Sequence, residues 1–186
     1  YGLRDSVAYR GLGDVYKRTG VNGLFRIYTC IVKLNQNIFR ANDIRGIAYE
    51  DLTEEVVQSL GRALGSEAID RNIQKFIIGR DGRLSSPEIF DWLSSGIMSA
   101  GCNVIDIGIV TSPMFYHSTY ELNSSSGVVI TGSHNPGNYN GFKIVFNNHS
   151  TSSEEILNLK KRILEQDFRK GKGASKKEDI KESYIT

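Results

Sequence analysis

Cysteine is scarce in this 186-residue chain: Cys30 and Cys102 stand 72 positions apart, with no CxxC pair and no histidine-rich partner. This spacing excludes a disulfide framework and a structural zinc site, and it sets reduced thiols in a cytoplasmic protein as the expectation. Long apolar runs are missing as well. A bilayer-spanning helix needs about 18 consecutive apolar residues, whereas the run from Ile27 to Val32 is already broken by Tyr28 and Thr29. Neither a membrane segment nor a secretory leader is expected. Nor does one sign of charge dominate. The net charge of +2 is too small to argue for a nucleic-acid partner, and the basic excess from Lys160 onward is interleaved with acids, as on a solvated helix and linker.

What remains is ordinary for a soluble globular domain, with 39% hydrophobic and 24% charged residues. The length suits one good core with ragged ends. Residues 1–36 are expected to be a poorly ordered leader, because Gly2, Gly11, Gly13, Gly20 and Gly23 interrupt any helical period. Arginines alternate there with tyrosines, as in an arm that binds single strands, but Asp5 and Asp14 dilute the charge. The chain begins at Tyr1 and stops at Thr186 without a closing feature, which reads as a fragment of a longer frame.

Between these ends, strand and helix patterns alternate. After an extended segment from Ile38 to Ala48, bent near Gly46, Thr53 opens a helix with Val56, Leu60 and Leu64 inward and Gly65 as its stop. A strand at Lys75 to Ile78 follows. Ser85 and Glu88 fit a capping box, with Ser86-Pro87 as a second register, before a helix that buries Ile89, Leu93 and Ile97 and is capped by Gly101. Asn103 to Ile107 is the next strand, and Ser112-Pro113 starts a helix that sends Phe115, Thr119 and Leu122 inward and His117 to solvent. Gly127 to Ile130 reads as a buried central strand, and Phe142 to Phe146 as another. Ser152 and Glu155 cap a helix carrying Ile156, Leu159, Ile163 and Leu164. Residues 171–186 have the composition of a linker. The pattern predicts an α/β fold, a three-layer αβα sandwich on a mainly parallel or mixed sheet.

Chemistry concentrates behind the central strand, in Thr131 to Lys143. Gly132, Pro136, Gly137 and Gly141 let the chain turn sharply around Ser133, so its hydroxyl is presented at a loop tip among His134, Lys143 and backbone N–H groups. Phosphoryl oxygens need such donors. In parallel strands, the loop Gly79 to Arg83 projects from the same sheet edge.

The run Thr131, Gly132, Ser133, His134, Asn135, Pro136, then Tyr139, Asn140, Gly141 and Lys143, resembles the phosphoserine signature of the α-D-phosphohexomutases. Phe39 to Gly46 resembles the opening motif of the phosphomannomutase/phosphoglucomutase branch, and Gly79 to Arg83 with Ser85 and Ser86 its second loop. The likeness runs from about Ile38 to Phe168 and covers the first of four domains, with the chain crossing toward the second after Gly171. It implies exchange of a phosphoryl group between the 1- and 6-positions of mannose or glucose phosphate, through phosphorylated Ser133 and a hexose 1,6-bisphosphate. His134, Lys143 and Arg45 are then the candidates for proton handling and phosphate orientation. Arg80, Arg83, Asn135 and Asn140 either meet phosphate or brace the loop, the two arginines by a salt bridge to Asp81. The resemblance also implies Mg²⁺ held by the Ser133 phosphate and by an Asp-x-Asp-x-Asp loop of the second domain, which this chain lacks. On that basis the chain alone is expected to turn over no substrate. Asn42 stands where the family has tyrosine. Two other readings are a non-catalytic remnant or interaction domain, and a serine hydrolase built on Ser133 and His134; the latter lacks the Gly-x-Ser-x-Gly elbow.

Overall fold

A computed structural model describes residues 34–185, so the leader expected over residues 1–36 lies almost wholly outside the described residues. A 3-10 turn at Gln36–Ile38 precedes β1 (Ile44–Ile47). Then follow α1 (Glu54–Asp70), β2 (Lys75–Arg80), α2 (Ser86–Ser99), β3 (Asn103–Ile109), α3 (Ser112–Glu121) and β4 (Gly127–Ile130). The chain continues through β5 (Tyr139–Phe146), β6 (His149–Ser150), α4 (Ser153–Glu165), β7 (Ser175–Lys177) and α5 (Lys181–Ile185). The sheet order is β1-β5-β4-β2-β3-β7, with β6 attached to β5. Strands β4, β2, β3 and β7 are mutually parallel, whereas β5 is antiparallel to both β4 and β1. The expected mixed αβα sandwich is thus present, and β1, β4, β2 and β3 all end at one edge.

Alternation along the strands sorts the core into two layers. Phe76, Ile78, Val104, Val128, Phe142 and Ile144 face α1, α2 and α4. Ile77, Ile105, Ile107, Val129 and Val145 meet Phe115 of α3 and Ile180 on the other side. Within the first layer α1 and α2 approach almost backbone to backbone. A methyl group added at Gly96 would run into the Gln58 carbonyl, and one at Gly61 into the Leu93 carbonyl. The same approach explains why Gly65 is not a stop: it packs against Ile97, and α1 runs on to Asp70.

Three other expectations change. The bend near Gly46 falls instead at Ala41 and Asn42, and Gly46 lies within β1. His117 does not face solvent; its ring is half-buried, edge-on to Tyr184 at 5.5 Å, with Nε2 buried and unpartnered among the described residues. The stretch from Gly171, read as a linker, carries β7 and α5; it stays mostly exposed and is tied down at β7 and Ile180. Val104 donates to the Ala174 carbonyl as β7 joins the edge of β3, and Ile180 is 1% exposed. No helix among the described residues is long and apolar enough to cross a membrane.

If the tail belongs to the core, Ile180→Ala should destabilise the chain by about 2–4 kcal/mol, the usual range for truncating a buried isoleucine. Urea denaturation of the 186-residue chain measures this, and a loss below about 0.5 kcal/mol, as at an exposed site, would return residues 171–185 to the status of a linker.

Candidate active site

Strand β4 is buried at all four positions and pairs with β2 on one side and β5 on the other, Arg80 and Phe142 both lying in register with Ile130. The chain segments after β2 and β4 therefore leave the edge side by side, as the parallel arrangement required. The second segment turns at once. Ser133 is exposed with φ +53°, in the left-handed region that costs a non-glycine residue about 1–2 kcal/mol. Local bonds offset that strain. The Ser133 N–H donates to Thr131 Oγ1 at 2.9 Å, and the backbone N–H and side-chain amide of Asn135 both donate to the Gly132 carbonyl, at 3.0 and 3.1 Å.

The larger hold comes from Arg83. Its guanidinium donates to the carbonyls of Ser133 (3.1 Å), Asn135 (2.8 Å), Pro136 and Tyr139 (3.0 Å), while Nε donates to Asp81 at 3.1 Å. Gly132 makes room for it, since a side chain there would collide with the guanidinium. Asp81 accepts further bonds from the Arg83 and Gly132 amides, both at 3.1 Å, and from Ser86 Oγ at 2.7 Å. Desolvation alone would raise the Asp81 pKa, but the Ser86 hydroxyl, the Arg83 amide, Thr131 and the Gly132 amide together hold the carboxyl below its usual range. Asn140, fully buried, donates to both Ser85 Oγ and Ser86 Oγ at 3.0 Å. The hydroxyl of Ser85 thus makes no helix cap, and the expected capping box with Glu88 does not form.

The residues singled out from the sequence fall into two groups. Arg83, Asn135 and Asn140 brace the loop. Arg80 is also a brace, yet not with Asp81: it pairs with the buried Asp106 at 2.7 Å and lies over the Phe90 ring at 4.5 Å. Ser133 and His134 stay exposed, with Ser133 Oγ 3.5 Å from His134 Nδ1. Lys143 sits opposite Val129 in β5 and makes no ion pair among the described residues. Arg45 pairs in register with Gly141, two positions from Lys143 and so on the same sheet face. Its side chain is 8% exposed, bonded to Asp43, with Nε buried and unpartnered among the described residues. Asn42 is exposed at the bend before it. Sequence reasoning missed Asp81 as the hub, Ser86 as its donor and Asp106 as the partner of Arg80. The alternation rule carried the last signal, because Ile78 pairs in register with Asp106 and shares a face with Arg80.

An exposed hydroxyl beside an imidazole, on a loop whose carbonyls are drawn inward, can accept a group and hand over a proton. It is not a hydrolytic triad: among the described residues no carboxylate is bonded to His134, so the group that would orient the imidazole is missing. The described residues also do not fit a metal site. They contain no cluster of three His, Cys, Asp or Glu side chains that could hold an ion, and Asp81, the acid touching the loop, is saturated by its own donors. A cleft of about 670 Å³ opens beside Asp81 and Thr131, with Val129, Met114 and Ile185 as apolar wall and Thr111, Ser112 and Lys181 among its polar lining.

Residues 36–170 match the family model for phosphoglucomutase/phosphomannomutase, alpha/beta/alpha domain I. The chain is 44% identical over 152 residues to a phosphomannomutase/phosphoglucomutase of Pseudomonas aeruginosa, covering 82% of this chain and 33% of that protein. It is 40% identical over 129 residues to a phosphoglucomutase of Neisseria gonorrhoeae, covering 69% and 28%. Among solved structures, a phosphoglucomutase/phosphomannomutase family protein of Burkholderia thailandensis superposes with a TM-score of 0.78 at 37% identity, over 82% of this chain and 35% of that one. The chain thus spans about a third of the length of the curated relatives it matches.

Because Asp106 is only 4% exposed, Arg80→Ala would leave it buried without its cation, and a loss of about 3–5 kcal/mol is expected. Adding Asp106→Asn should recover part of it in the same denaturation experiment. A single variant of unchanged stability would contradict the bracing role.

Proposed function

The chain belongs to the phosphoglucomutase/phosphomannomutase family, and we propose that it is the phosphoserine-bearing first domain of a mutase acting on hexose phosphates. The observation that carries this reading is the exposed hydroxyl of Ser133, held in a left-handed turn at the edge of the central strand with His134 3.5 Å away. In the forward step the Oγ–P bond of phosphorylated Ser133 breaks as a P–O bond forms to the free hydroxyl of a mannose or glucose phosphate. The sugar's proton passes to a base, for which His134 is the exposed group at hand, and the serine oxygen regains a proton. The hexose 1,6-bisphosphate then turns over and returns its other phosphate to Ser133. Lys143 and Arg45, two cations on one sheet face, are assigned to orienting the phosphate. Mg²⁺, where bound, would help gather the phosphate's oxygens. Its carboxylate ligands have to come from outside the described residues, as do the loops that select the sugar. We therefore assign net turnover to the longer protein of which this domain is a part, not to this chain alone. A cytoplasmic location goes with that substrate class and with the unpaired, buried Cys102.

Incubating the chain with glucose 1,6-bisphosphate and recording intact mass tests the reading. One added phosphate is expected, mapping to Ser133 and absent in Ser133→Ala. Phosphate on another residue, or none on the wild-type chain even with Mg²⁺ supplied, would overturn the assignment. Mannose or glucose phosphate isomerisation by the 186 residues alone would overturn the division of labour.

A further inference from the structure

Asp81 touches neither Ser133 nor any group assigned to the reaction, yet it joins Arg83, the start of α2 and the amide before Ser133 into one network. Two of its donors come from Arg83 and one from Ser86 at the start of α2, and one is the amide of Gly132, immediately before Ser133. Arg83 in turn gathers three loop carbonyls and that of Tyr139 at the start of β5. A trans peptide carries its N–H on the side opposite its C=O. Drawing the Ser133 and Pro136 carbonyls to the guanidinium therefore turns the next N–H groups, those of His134 and Gly137, away from it. Those two amides are directed outward, on the open side of the loop where Ser133 stands.

We propose that Asp81, acting through Arg83 and the Gly132 amide, is the positioning residue for phosphoryl transfer at Ser133: it fixes both the serine's conformation and the direction of the amides that receive its phosphate. Without the carboxylate, Arg83 keeps its charge but loses the anchor that aims it, and the Gly132 amide loses its acceptor. Ser133 is then free to leave the strained left-handed conformation. Asn140 supports the arrangement from below by holding the Ser86 hydroxyl, which gives Asp81 its shortest bond. The proposal rests on the phosphoserine reading for its chemistry, but the loop geometry it asserts can be read separately.

The test uses the full 186-residue chain as wild type, Asp81→Asn and Ser86→Ala. Phosphorylation of Ser133 by glucose 1,6-bisphosphate is followed against donor concentration, together with amide exchange across residues 75–80 and 127–141. Asp81→Asn should lower the maximal phosphorylation rate by about 30-fold or more, the scale of a sub-ångström to ångström misplacement, with the half-saturating donor concentration changed by less than about threefold. Ser86→Ala, which keeps the charge, should show the same split at about a tenth of that rate loss. Exchange should quicken at Gly132 to Tyr139 while β2 and β4 keep their protection. A wild-type rate in Asp81→Asn, or protection lost equally from the strands and the loop, would overturn the proposal. If the wild-type chain accepts no phosphate, the phosphoserine reading fails, and the exchange pattern still decides whether Asp81 positions the loop.

Discussion

A loop that leaves a central strand carries carbonyls with no ladder to accept into, and leaving such groups unpaired while partly buried costs about 1–3 kcal/mol each. Here one guanidinium meets three of them, together with the carbonyl of Tyr139 at the start of β5. Arginine alone has enough donors in a fixed fork for this, and lysine's single ammonium has neither the number nor the spread. The neighbouring carboxylate keeps the buried charge balanced. Much else depends on this pair. Gly132 has to lack a side chain so that Arg83 can pass, and Arg83, being fully occupied, is not available to a ligand.

Periodicity made most of the fold legible because the core is layered. Every strand from Phe76 to Phe146 alternates between two apolar faces, and the caps at Thr53 and Ser152 form as their side chains dictate. The departures have definite causes. Glycine serves both to end a helix and to let two helices touch, so Gly65 gave a stop signal where a close crossing was meant. The β7 segment reads Ser-Lys-Lys, a polar sequence suited to an exposed edge strand and indistinguishable from a linker until β3 offers its hydrogen bonds. His117 departs from its solvent-facing expectation because the ring it meets, that of Tyr184, lies 67 positions away in a segment whose sequence carries no structural signal.

At the candidate site the sequence points to two arginine braces on Asp81, and only Arg83 makes that pair. Adjacency suggested Arg80 with Asp81, whereas strand geometry sends successive side chains to opposite faces. Arg80, the last residue of β2, therefore shares a face with Ile78 and meets Asp106 and Phe90, whereas Asp81, beyond the strand, is left to bridge Arg83, Ser86 and the serine loop. Composition alone cannot separate a cation that meets substrate from one that meets carbonyls, since both demand arginine.

The start of α2 shows which effect prevails when local and long-range demands compete. A serine cap is worth about 1 kcal/mol, and Ser85 stands where that cap would form, yet its hydroxyl is given to Asn140. Asn140 is fully buried, so an unmet amide there would forfeit more than the cap supplies. Pro87 in the first turn reduces the loss by having no N–H to satisfy. The surrendered cap and the left-handed Ser133 both lie within one hydrogen-bonded network, and the same network fixes the direction of the loop's amides. The serine and threonine cap rules hold at α1 and α4 and yield around this loop. Stability has been exchanged there for a fixed loop geometry.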